Sequence, residues 1–238
     1  MNYFFVTGSS RGIGKSLVKE LLKNPTNFIF GISRTNSIKH QNFKFIQTDL
    51  SKPFELIDFI FDKLEKPNSI TLINNAGVIG DIKTLGNKSP NRIIETYNIN
   101  TIAPNLLMNR FINQFQDTNC KKLILNISSG AGRHSIASWS EYCASKSALD
   151  MCSLVVKDEQ RNQNFPIEII SLAPGIIDTD MQSEIRASSI EDFDKQAYFV
   201  ELKENNQLSS PKEIAKNIIK LINSNSSFTN TLLDLRDL

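Results

Sequence analysis

The stretch SEYCASKSALD, residues 140–150, carries a tyrosine and a lysine four positions apart. On a helix, Tyr142 and Lys146 fall one turn apart on the same face. An ammonium beside a phenol favours the phenolate, which lets a group that ordinarily titrates near ~10 exchange its proton closer to neutral pH. The two residues are therefore a candidate proton donor and its tuner. The same spacing also describes two amphipathic residues on a solvated helix face, so its meaning depends on what the rest of the chain supplies.

A second cluster, YFFVTGSSRGIGKSLV (3–18), sets Gly8, Gly12 and Gly14 between an apolar run and an amphipathic one, with Ser10, Arg11 and Ile13 among them. The spacing G-x-x-x-G-x-G is wider than G-x-G-x-x-G, but the mechanics are the same. Glycine lets the chain turn sharply out of a strand and lets amides at a helix N-terminus reach a pyrophosphate. Because the loop directly follows a strand-like run, dinucleotide binding is preferred to an ordinary glycine turn. The next strand ends in FIFGISRT, offering Ser33 and Arg34 where an NAD site usually offers an acid. Arg11 can approach the same place. Two guanidinium groups without an opposing acid suit a 2′-phosphate, so NADP(H) is expected over NADH. The alternative is that both arginines are solvated.

The elements that must position these residues alternate along the chain. Strands are expected at Tyr3–Thr7, Phe28–Ile32, Phe43–Gln47, Thr71–Asn74, Lys122–Ile127, Ile167–Leu172 and Thr231–Leu233. Helical patterns cover Ile13–Lys23, Phe54–Leu64, Asn91–Phe115, Ser140–Gln160 and Lys212–Ile222, with Ser51 and Ser210 as capping hydroxyls. Such alternation implies right-handed crossovers and a single α/β domain, a doubly wound parallel sheet with helices on both faces. The rhythm breaks at 178–210, which reads as an excursion beyond the carboxyl edge of the sheet, where ligands bind.

Composition excludes several classes. The 238 residues are 40% hydrophobic and 22% charged, with a net charge of +2 and no basic stripe, so no nucleic-acid partner is expected. Cys120, Cys143 and Cys152 are odd in number and lack a C-x-x-C, and the only histidines, His40 and His134, are far apart. Neither a disulfide framework nor a metal site is expected. The N-terminal MNYFFVTG is too short for a signal peptide, and no apolar run approaches the ~20 residues of a membrane span. A cytoplasmic protein without membrane contact is the expectation.

Several separated motifs have the order and spacing of the short-chain dehydrogenase/reductase family. TGSSRGIG (7–14) looks like its glycine motif, TDLS (48–51) its adenine contact, and NNAG (74–77) the segment after its fourth strand. YNINT (97–101), NISSG (126–130), YCASK (142–146) and APGIIDTDM (173–181) complete a series that spans the chain. The resemblance implies a Rossmann-type sheet of about seven strands in the order 3-2-1-4-5-6-7. It implies that Tyr142 is the general acid, that Lys146 tunes it and holds the nicotinamide ribose, and that Ser129, beside Ser128, bonds the substrate carbonyl. Asn100 matches the asparagine that holds a relay water. Asp49 and Leu50, with Asn75, Ala76 and Gly77, would contact the cofactor, as would Pro174, Gly175, Ile177, Thr179 and Met181.

Parts of the chain also resemble sepiapterin reductase and the related bacterial benzil reductases. SWSEYCASKSALDM (138–151) places Trp139 three residues before the tyrosine, SSIEDF (188–193) is similar to their substrate loop, and LLDLRDL resembles a tail whose aspartate, here Asp234, anchors substrate. A solvated carboxylate is the alternative for Asp234. Trp139, Ile176, Met181 and Ile185 would form an apolar wall, with His134 at its edge. The implied function is an NADPH-dependent reductase of a small ketone or vicinal dicarbonyl. Alternatives are a 3-oxoacyl carrier-protein reductase, a broad carbonyl-detoxifying reductase and an NADPH-sensing scaffold. Surplus apolar residues on the helices 91–115 and 140–160 imply, by the same resemblance, a homodimer, with a tetramer as the alternative.

Overall fold

Seven parallel strands form one sheet in the order β3-β2-β1-β4-β5-β6-β7, as expected. A computed structural model describes residues 1–224, 228 and 230–238. In chain order the elements are β1 (Asn2–Thr7), α1 (Gly12–Leu21), β2 (Asn27–Ser33), β3 (Phe43–Gln47), β4 (Ser69–Asn74), α2 (Pro90–Tyr97) and α3 (Ala103–Phe115). They continue with β5 (Lys121–Ile127), α4 (Ser140–Gln160), β6 (Glu168–Ala173), α5 (Asp180–Arg186), α6 (Gln196–Glu204), α7 (Pro211–Asn223) and β7 (Leu232–Asp234). Each expected strand is present within one or two residues of its expected ends.

The inner strands are buried on both faces, as their unbroken apolar runs require. One face packs Phe5, Phe30, Ile70, Leu72 and Ile124 against α3 and α4 residues such as Leu107, Phe111 and Leu149. The other packs Phe4, Val6, Leu125, Ile170 and Leu172 against Leu17 of α1 and Ile214 and Ile218 of α7. The edge strand β3 differs, alternating between exposed and partly covered residues.

Two local expectations fail. The segment 54–64 is no α-helix: only a short 3-10 turn, Pro53–Leu56, forms there. Phe61 is buried in an aromatic cluster with Phe5, Phe111 and Phe115, and its backbone pairs with a side chain instead. Its N–H donates to Gln114 Oε1 at 2.9 Å, and its carbonyl accepts from Gln114 Nε2 at 2.8 Å. Satisfied in this way, the backbone has no need of helical bonds. Ser51 accordingly caps no helix; its hydroxyl donates to Asp49 at 2.8 Å. Ser210 does cap α7, accepting from the Glu213 N–H at 3.2 Å.

The helix expected over 91–115 is interrupted between α2 and α3 by a π-helical turn, Asn98–Ile102. The 178–210 excursion leaves the sheet beyond β6, folds α5 and α6, and returns through a bridge between Ile177 and Ser209. Among the described residues no helix is long and apolar enough to cross a membrane.

Candidate active site

The chain runs outward from β1 to β3 and then returns to place β4 on the other side of β1. A crevice therefore opens at the carboxyl ends of β1 and β4. Thr7 braces it: its hydroxyl oxygen accepts from the Asn75 and Ala76 N–H groups at 2.9 and 3.0 Å. Asn75 Nδ2 in turn donates to the Thr7 carbonyl at 2.9 Å. Thr7 was not expected as a site residue, although it opens the TGSSRGIG motif.

The glycines have distinct uses. Gly8 and Gly12 adopt φ of +66° and +53°, which side chains rarely tolerate. Gly14 is instead a packing glycine behind the crevice, where a Cβ would lie 2.3 Å from the Gly8 carbonyl oxygen. Gly8, Ser10, Arg11, Gly12 and Ile13 line a cavity of about 430 Å³ that continues past Ser33, Arg34, Asp49 and Leu50. Asp49 is held below its usual carboxyl range: burial opposes this, but bonds from Ser51 and the charge of Arg34 outweigh it.

The arginine pair differs from expectation. Arg11 is opposed by an acid, Asp180, at 3.1 Å, because α5 brings that carboxylate over the glycine loop. Arg34 is exposed and has no ion-pair partner among the described residues within bonding distance. Ser33 is buried, and its hydroxyl is engaged by Ser9 and the Thr35 carbonyl.

At the other end of the same cavity stand Ser128, Ser129, Trp139, Tyr142 and Lys146. Ser129 lies two residues past the end of β5 and caps a 3-10 turn, its Oγ accepting from the Ala131 N–H at 3.1 Å. Ser128 Oγ is buried without a hydrogen-bond partner among the described residues. Tyr142 and Lys146 lie in the first turns of α4, and Lys146 Nζ donates to the Ile127 carbonyl at 2.8 Å. Burial pushes the Tyr142 phenol up from its usual value, with the Ser129 hydroxyl pulling the other way. Lys146, whose Nζ lies 5.9 Å from the ring centroid, does not lower it, because this lysine, itself brought to about 8, has lost its charge before the raised phenol would ionise. Desolvation lowers Lys146 itself from 10.5 to about 8, against the opposing charge of Asp150.

Asn100 sits in the π-helical turn, beside the cavity and not in it. Its amide donates to the Val78 carbonyl at 2.9 Å and Ser145 Oγ at 3.1 Å, and its oxygen accepts from the Val78 N–H at 2.9 Å. A Cβ on Gly77 would touch both Asn100 Oδ1 and Lys146 Nζ, so the three converge at one point. The π-helical turn shifts the side-chain register of a helix that sequence periodicity treats as continuous.

Pro174, Gly175, Ile177, Thr179 and Met181 line the cavity, as do Ile176 and Ile185. Asp234 also reaches it, but it is engaged: Arg236 Nε and Nη2 donate to its carboxylate at 2.8 and 2.6 Å. These bonds hold its carboxyl below the usual range. Arg236, Phe193 and Phe199 were missed; Phe193 stacks on Trp139 at 5.3 Å, and nothing local in the loop sequence distinguishes it. His134 is exposed and does not line the cavity.

These residues fit a dinucleotide. Two positive-φ glycines bring backbone into the cavity at the N-terminus of α1, and the end of β2 presents a serine and an arginine, not an acid. Among the described residues no group of three or more His, Cys, Asp or Glu side chains is placed to hold a metal.

Comparison with known proteins agrees with this geometry. The family model described as short chain dehydrogenase matches residues 2–189. A benzil reductase ((S)-benzoin forming) of Bacillus subtilis (strain 168) is 34% identical over 229 residues, covering 93% of both chains. A sepiapterin reductase of Bos taurus is 25% identical, covering 98% of this chain and 93% of its own. The crystal structure of a short-chain dehydrogenase/reductase from Saccharomyces cerevisiae superposes with a TM-score of 0.86 at 27% identity, covering all of this chain and 97% of that one.

Proposed function

The chain belongs to the short-chain dehydrogenase/reductase family, and from that premise we propose that it is an NADPH-dependent reductase of a small ketone or vicinal dicarbonyl, of the benzil or sepiapterin type. The observation that carries this reading is the single cavity, which joins the glycine loop and Arg34 at one end to Tyr142, Ser129 and an apolar wall at the other. The similarity to a benzil reductase, 34% over nearly the whole chain, supports the choice of substrate class.

The glycine loop and Arg34 would hold the cofactor's phosphates, and Lys146 its nicotinamide ribose. When bound, the nicotinamide supplies a hydride to the carbonyl carbon. Ser129 would orient the carbonyl oxygen by a hydrogen bond. Tyr142, kept protonated by burial, would give its proton to that oxygen. The Lys146 ammonium would stabilise the phenolate left behind. Trp139, Ile176, Met181 and Ile185 would exclude water and receive a compact, partly aromatic group.

The test is a substrate panel in which NADPH or NADH consumption is followed by its near-ultraviolet absorbance. Turnover of benzil or sepiapterin with NADPH, and not of acetoacetyl thioesters, supports the assignment. A protein that reduces no carbonyl compound would refute it. We further propose a homodimer, supported by exposed apolar residues on α2, α4 and the π-helical turn: Ile94, Ile102, Met151 and Val155.

A further inference from the structure

Beneath the substrate end of the cavity lies a buried ion pair with no part in the proton transfer. The Lys88 and Glu141 side chains are 0% and 2% exposed, and Nζ and Oε2 are 2.6 Å apart. Lys88 also donates to the Asp81 carbonyl at 2.5 Å and to the Ser138 carbonyl at 2.9 Å, so all three ammonium protons are used.

Each acceptor lies next to a residue of the pocket wall. Asp81 is two residues past Ile79, Ser138 immediately precedes Trp139, and Glu141 immediately precedes Tyr142; Ile79, Trp139 and Tyr142 all line the cavity. Ser138 has φ of +68°, a conformation disfavoured for any residue with a Cβ, which persists only where its surroundings hold it. Its hydroxyl donates to the Asp192 carbonyl at 2.5 Å, next to the Phe193 ring that stacks on Trp139. The remaining Glu141 oxygen has no partner among the described residues and lies 2.7 Å from where a Cβ on Gly80 would be. Two pocket segments thus meet at one ammonium, the loop after β4 and the residues that open α4, and the second is tied to the 178–210 excursion through the Ser138 hydroxyl.

A buried charge pair is a poor way to gain stability, because desolvation offsets most of the attraction, and apolar residues of similar size often serve as well. Geometry is the better reason for this one. We propose that Lys88, through Glu141 and the strained turn at Ser138, is a positioning residue that fixes Trp139 against the wall at Ile79 and so sets which carbonyl compounds fit. The proposal rests on the reductase reading above. It adds no chemical step.

Trp139 is the only tryptophan in the chain, which provides a readout independent of turnover. Purified full-length K88M, K88R and the double variant K88M/E141L are compared with wild type. The double variant removes both charges, so it keeps the test alive if K88M, with its lone buried carboxylate, fails to fold. Circular dichroism establishes folding. Acrylamide quenching of Trp139 is expected to rise about threefold in K88M and K88M/E141L as the wall loosens. KM for benzil is expected to rise roughly tenfold, while kcat and NADPH affinity stay within about threefold of wild type. K88R, which keeps the charge and several donors, should recover most of both effects.

Folded variants with wild-type quenching and KM would overturn the proposal. So would a parallel loss of kcat and NADPH affinity at unchanged KM, which would mark a general weakening of the fold. A wild-type protein inactive on every carbonyl would instead defeat the reductase reading, and the quenching comparison would still decide the clamp.

Discussion

Tyr142 occupies a nearly dry position between Trp139 and Ser129, so loss of its hydroxyl removes a proton source and little packing. Tyr142→Phe should lower kcat by roughly a thousandfold or more with NADPH affinity nearly unchanged, measured by steady-state kinetics and fluorescence titration. Loss of nucleotide binding as well would make the tyrosine structural. Lys146 yields a pH prediction. Its value near 8 means that the ammonium is lost as pH rises through about 8, and the rate of reduction should fall over that interval. The sign for stability is opposite. Below pH 8 both folded and unfolded chains are protonated and the burial penalty is fully felt; between 8 and 10.5 the unfolded chain binds more protons, so this residue's contribution improves with pH. Denaturant melts across that range would show it. The residues of the site were legible because their motifs carry chemical types at fixed spacings. Their charge states were not, since the phenol's upward displacement depends on burial and on the Ser129 hydroxyl beside it.

At the scale of elements, most strands and helices were legible because buried parallel strands leave unbroken apolar runs. The segment 54–64 misled because its periodicity fits a helix, while Gln114, some fifty residues later, binds the Phe61 backbone and lets its ring enter the core. No local pattern encodes such a partner. The π-helical turn at Asn98–Ile102 was hidden because the apolar pattern over 91–115 fits one continuous helix and does not mark the single turn where the register shifts. The β1–α1 turn offers a test at this level. Gly14→Ala would push a methyl to 2.3 Å from the Gly8 carbonyl, a backbone atom that cannot swing aside. The turn must open, and NADPH affinity should fall roughly 10- to 100-fold in a calorimetric titration. An unchanged affinity would mean that the loop adjusts without cost.

For the molecule as a whole, layering followed from strand–helix alternation and sheet order from the family resemblance, but the pairing of distant side chains followed from neither. Arg11 with Asp180 is set by where the excursion comes to rest. The exposed apolar side chains of Met151 and Val155, one turn apart on α4, belong to the surface assigned to the proposed dimer. Sedimentation velocity should show a dimer for the wild type, and Val155→Lys should weaken association by at least ~100-fold by burying a lone charge. A monomeric wild type would count against the dimer.

Arg133 Nη2 donates to the Leu233 carbonyl at 3.1 Å across a sequence separation of 100 residues, while its Nε pairs with Asp150 at 3.1 Å. That single side chain couples the strand bearing Asp234 to the helix bearing Tyr142 and Lys146. During synthesis the glycine loop and its β4 brace leave the ribosome well before β7 does. The crevice at β1 and β4 can therefore form on a nascent chain whose substrate wall is still missing, because contacts of large sequence separation are the slowest to close. A growing chain of this protein would acquire its nucleotide cleft long before the last strand completes the mouth of its pocket.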